Sequence, residues 1–133
     1  MAGETTATTN LDPPMDMPAG LFLVPFALSY STSQNESNDV MEAGYLPANV
    51  TVHGFFVKAT DMDTNVSPAV VHKLTLGSTD LVTGITAGQT GGQAVYACTP
   101  TTITEKTKLT VTTTTAAATA AAGTLYVSAL CQK

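Results

Sequence analysis

The chain has 133 residues, enough for one domain, with a formal net charge of −5 and only 11% charged residues. Its five Lys and Arg are scattered, which excludes the clustered basic surface that nucleic acid or anionic lipid demands. Twenty-five threonines, a 44% hydrophobic content and no tryptophan point to sheet with a hydroxyl-rich outer face and a modest core of Val, Leu, Ile, Phe and Tyr.

Residues 1–20 are rich in Thr and small residues, and Pro13, Pro14 and Pro18 remove amide donors. The spacing predicts an extended N-terminal arm, with residues 21–133 forming a single β-sandwich domain. The arm reads either as a loose terminus or as an arm laid across a neighbouring subunit, anchored by Leu11, Met15 and Met17. Without a basic n-region no signal peptide is expected. The apolar run Leu21–Leu28 falls far below the ~20 residues of a spanning helix and contains Pro25.

A first strand is expected over Gly20–Tyr30, edged by Pro25, followed by a polar loop at Ser31–Asp39. Leu46-Pro47-Ala48-Asn49 turns into a strand over Val50–Ala59, where Gly54 suggests a bulge. Asp61–Pro68 is a turn and Ala69–Gly77 a strand with Val70, Leu74 and Leu76 inward. Asp80–Thr86 reads as a short strand or a turn of helix, and Ala87–Gly92 as a flexible loop. Ala94–Cys98 and Thr101–Glu105 read as two short strands broken at Pro100. Thr104–Thr107 fits a hairpin turn or a continuing strand equally well.

The end of the chain is the most strand-like part. Leu109 and Val111 share one face against Lys108, Thr110 and Thr112; Leu125, Val127, Ala129 and Cys131 share another against Tyr126, Ser128 and Leu130. With Ala116–Ala122 continuing a strand into a Gly-containing turn, these runs are expected to pair with each other antiparallel. About eight strands at this spacing make an all-β, antiparallel β-sandwich.

Chemistry-bearing patterns are sparse. His53 and His72, the only histidines, lack Cys or His at metal-ligand spacing and read as surface or packed imidazoles. Asp61-Met62-Asp63-Thr64-Asn65 begins like a calcium loop, but Val66 replaces the required glycine and His72 the bidentate Glu, so an Asx turn explains it better. Asp80 and Glu105 are equally explained as solvated turn positions. Asn35, Asn49 and Asn65 head chance glycosylation tripeptides. Cys98 and Cys131 read as free, largely buried thiols. No catalytic, cofactor-binding or metal-ligating residue is assigned, and no cofactor is expected.

The Pro-Ala-Asn turn into Val50-Thr51-Val52, the Leu74-Thr75-Leu76-Gly77 strand running into Ser78–Ile85, and the closing Leu109-Thr110-Val111-Thr112 and Gly123-Thr124-Leu125-Tyr126-Val127 strands together form a recognisable pattern. Over Leu46–Leu130 it resembles the small structural proteins of tailed bacteriophages, notably cement or decoration proteins. The resemblance implies a jelly-roll-like fold without catalytic residues, located at the capsid exterior of the virion. It also implies the major capsid protein as partner and a homo-oligomer, with a trimer favoured and a dimer also compatible. Neither nucleic acid nor membrane is expected as a partner. One alternative is a glycan-binding or adhesin-type module of a tail fibre, with Tyr30, Tyr45 and Tyr96 stacking on sugar. A hydrolytic or metal-dependent enzyme on the same scaffold is the third reading.

Overall fold

The computed structural model describes residues 20–133. Eight strands follow in order: β1 (Phe22–Tyr30), β2 (Val40–Leu46), β3 (Val50–Ala59), β4 (Val71–Leu76), β5 (Thr79–Ile85), β6 (Gln93–Ile103), β7 (Thr107–Thr115) and β8 (Gly123–Gln132). The only helical piece among the described residues is a single 3-10 turn at Ala87–Gln89. The strands form two four-stranded antiparallel sheets, ordered β1-β8-β3-β6 and β2-β7-β4-β5. Only β4 and β5 are neighbours both in sequence and in a sheet. Every other connection carries the chain across the sandwich.

The inner faces meet in one apolar cluster. Val52, Phe55, Val57, Leu125 and Val127 from one sheet pack against Leu46, Leu74, Leu76, Leu109 and Val111 from the other, with Met62 reaching in from the β3–β4 loop. Each such side chain contributes about 1.5–3 kcal/mol on burial. The exposed Lys73–Asp80 and Lys108–Glu42 ion pairs add little by comparison.

The face assignments for β7 and β8 hold residue by residue: Leu109, Val111, Leu125, Val127, Ala129 and Cys131 are all fully buried. Their expected pairing does not. β7 lies between β2 and β4, whereas β8 lies between β1 and β3 in the opposite sheet. The Ala116–Ala122 tract is no strand continuation but a crossing between sheets, held to the β3–β4 loop through an isolated bridge from Ala120 to Asp63.

One further expectation needs correction. β6 runs unbroken through Pro100, which an edge strand tolerates because one side of its backbone has no partner. Val40–Leu46, to which the sequence reading assigns no element, is a strand despite Glu42 and Gly44, with Ala43 as an extra residue opposite β7. The Asp80–Thr86 stretch resolves as strand as far as Ile85, and the Ala87–Gly92 loop contains the 3-10 turn. Residues 104–106 form a turn between sheets.

The bulge at Gly54 is present. His53 is an extra residue against β8, and three residues of β6 (Cys98, Thr99 and Pro100) face that same single residue. Glycine is required there, because a Cβ on residue 54 would lie 2.7 Å from the Tyr96 carbonyl oxygen.

Candidate functional site: an apolar sheet face

The two outer faces of the sandwich differ in kind. The β2-β7-β4-β5 sheet carries Glu42, Lys73, Asp80 and Lys108 among outward threonines, and these charges pair as Lys73–Asp80 at 3.1 Å and Lys108–Glu42 at 3.0 Å. Asp80 also accepts from the Thr75 hydroxyl, and these contacts hold its carboxyl below the usual range. It therefore sits in a surface network already satisfied by Lys73 and Thr75, without need of Glu105.

The four strands of the other sheet contain a single charged residue, Lys58. Alternation and register place Leu23, Leu130 and Ala97 in one outward row, Pro25, Ser128, Phe56 and Val95 in the next, and Ala27, Tyr126, Lys58 and Gln93 in a third. Val95 is 69% exposed, Leu23 49%, Tyr126 46% and Phe56 42%. A groove of about 530 Å³ runs between β3, β6 and β8, lined by Phe56, Lys58, Val95 and Tyr126 among others. A contiguous apolar surface of this kind marks an interaction site, because leaving it in water is unfavourable. Its chemistry is recognition, through ring faces, aliphatic side chains and one ammonium group.

The buried polar residues form two separate structural knots. His72 is fully buried, its Nε2 2.8 Å from Asn35 Oδ1, which also accepts from the Thr113 hydroxyl. The His72 ring stands 5.6 Å from that of Tyr30, and burial lowers its pKa to about 4. Burial likewise pushes the Tyr30 phenol upward. Asp63 is the second knot. Its carboxylate accepts the amides of Asn65 and Thr119 at one oxygen and those of Ala69, Val70 and Ala118 at the other, at 2.7–3.3 Å. Burial alone would raise its pKa, but these amides outweigh burial and hold the carboxyl well below the usual range.

The segment that begins like a calcium loop is thus a run of Asx turns. Asp61 accepts from the Asp63 amide, Asp63 from Asn65, and Asn65 from Ser67. Among the described residues no group of three or more His, Cys, Asp or Glu could hold a metal ion, and no helix is long and apolar enough to cross a membrane. His53 bonds Gln132 at the β3–β8 pair. The three tyrosines proposed for sugar stacking do not converge: Tyr30 is buried, Tyr96 packs against the core, and Tyr45 lies on the opposite sheet beside Lys106 and Lys108.

No protein-family model and no curated protein sequence matches the chain. Two solved structures share its architecture. A chain from the capsid of Ralstonia phage GP4 superposes with a TM-score of 0.74 at 18% identity, over 91% of this chain and 89% of that one. A chain from the cyanophage Pam1 capsid asymmetric unit gives 0.71 at 22% identity, over 99% of both. This is a fold shared with two phage capsid chains. The likeness extends over the whole sandwich, both sheets included, and it concerns backbone architecture.

Proposed function

We propose that this chain is a non-enzymatic structural protein of a phage virion that binds the outer surface of the capsid shell and stabilises it. The observation that carries this reading is the end-to-end likeness of the sandwich to chains of two phage capsids. The strand order β1-β8-β3-β6 over β2-β7-β4-β5 reads as an eight-stranded jelly roll, an architecture that recurs in capsid proteins. The division of the surface supports the same reading. A threonine-rich, ion-paired face suits contact with water, and an apolar face suits contact with protein.

Repetition on a symmetric shell lets many modest contacts sum to a strong clamp, so a homo-oligomer on the major capsid protein is the arrangement we favour. A net charge of −5 fits an exterior position better than contact with packaged nucleic acid.

The test is co-sedimentation of the purified chain with phage heads made without it, followed by measurement of the temperature at which the heads rupture. Saturable binding and a higher rupture temperature are expected. Failure to bind heads, or binding that leaves their robustness unchanged, would overturn the proposal.

A further inference from the structure

The outer face of the β1-β8-β3-β6 sheet is complementary to itself. We infer that two copies of the chain pair through this face about a two-fold axis parallel to the strands, setting each Lys58 over the partner's Tyr126. The inference deepens the proposed function by giving its homo-oligomer an interface, and to that extent rests on it. Pairing is read on the purified chain, so its failure and a failure to bind phage heads are separate results.

Charge selects a second copy as the occupant. Each chain carries a net charge of −5, so two copies repel wherever their carboxylates meet. The four strands of this sheet contain no Asp or Glu, and Lys58 is their one charged residue. This is the face on which like chains approach without setting acid against acid. The other sheet presents Glu42 and Asp80.

The area suffices. Four strands at normal spacing and the nine residues of β1 give a face of about 19 by 27 Å. Two such faces cover roughly 1,000 Å² even in flat projection, the size a specific interface must reach.

Register supplies the strongest argument. A two-fold axis along the strands lays β1 over the partner's β6 and β8 over the partner's β3, row on row. In the first row Leu23 then faces the partner's Ala97, and Leu130 faces the partner's Gly54, which has no side chain. In the second row Ser128 faces the partner's Phe56, and in the third Ala27 faces the partner's Gln93. Large meets small at each of these positions, which is how packed layers interdigitate. An axis across the strands would instead set Phe56 on the partner's Phe56 and Leu130 on the partner's Tyr126.

The third row also places Tyr126 opposite the partner's Lys58. The groove of about 530 Å³ beside Phe56 and Lys58 takes the partner's phenol ring, and the ammonium lies over that ring in desolvated surroundings. Stacked sheets cross at roughly 30°, which displaces this row sideways by about 3 Å, within reach of the lysine's four-carbon stem. Each cation thus meets an aromatic face of the other copy rather than its like.

Sedimentation velocity and native mass spectrometry of the full chain test this. The wild-type chain should run at twice the chain mass at micromolar concentration. Lys58→Glu brings a carboxylate to the partner's ring, and Tyr126→Lys sets ammonium against ammonium. Each alone should weaken pairing at least about tenfold. Both side chains project into solvent, so thermal unfolding of the two variants should match that of the wild type. Mixed in equal amounts, the two variants should pair with each other, because one contact becomes an ion pair and the other keeps Lys58 over Tyr126. A monomeric or trimeric wild-type chain would overturn the inference. So would single variants that pair as tightly as the wild type, or a mixture that stays monomeric.

Discussion

His72 Nε2 and Asn35 Oδ1 lie 2.8 Å apart in the sealed interior, although the residues are separated by 37 positions. An amide oxygen only accepts, so His72 donates through Nε2, and its Nδ1 carries an unpartnered lone pair. The ring is therefore folded in its neutral form. Its pKa of about 4 lies below the ordinary 6.5, so the unfolded chain binds the extra proton between these values. Stability is full above pH 6.5 and falls as pH drops toward 4, by roughly 3 kcal/mol from this group. Guanidinium unfolding at pH 7 and 4.5 should show that slope. His72→Gln, which keeps a donor for Asn35 but does not titrate, should flatten it.

Asp63 acts in a lower pH range. Its carboxylate ties residues 65–70 to Ala118 and Thr119, bracing the crossing between β7 and β8. A depressed folded pKa means its contribution is complete above the unfolded value near 4 and is lost as pH falls below that. Asp63→Asn leaves amide donors facing an NH2 group and should cost about 2–4 kcal/mol at pH 7. Hydrogen exchange should quicken first at Ala118 and Thr119.

Gly54→Ala should destabilise by about 1–3 kcal/mol, because the new methyl meets backbone, which cannot swing aside as a side chain can. Thermal unfolding measures the loss, and amide shifts should concentrate at Tyr96 and Ala97. A loss below 0.5 kcal/mol would show that the β3–β6 bulge relaxes freely.

The two thiols should remain reduced in air. Cys98 and Cys131 are free and lie on β6 and β8, separated by β3 and so roughly 10 Å apart at normal strand spacing, beyond disulfide reach. Burial pushes both thiols up, and Cys131 is fully enclosed. Intact mass should show two titratable thiols, with Cys131 reacting only when the whole chain unfolds.

Where side chains alternate cleanly, as in β7 and β8, the faces could be read directly from residue order. Which strands pair could not. The connector after Thr115 looks like a turn because Ala and Gly carry no directional information, and what sends it across the sandwich is Asp63, some fifty residues earlier. Asn35 and Asp63 sit in polar loop stretches whose composition suggests solvent, yet both are buried and held by distant backbone or side-chain groups, while His72 shares the inward face of Leu74 and Leu76 and gains its Nε2 partner from Asn35. The apolar face was hidden for a related reason. Leu23, Phe56, Val95, Tyr126 and Leu130 come from four separate strands, and each alone reads as an ordinary exposed hydrophobe. Only the register makes them neighbours.

The amide of Lys133 bonds the carbonyl of Gly20, so the polypeptide enters and leaves the sandwich at one corner. A passenger fused to the carboxyl end is thereby held beside the start of β1. A short bridge from Lys133 to Gly20 would close the sandwich into a ring without straining a strand.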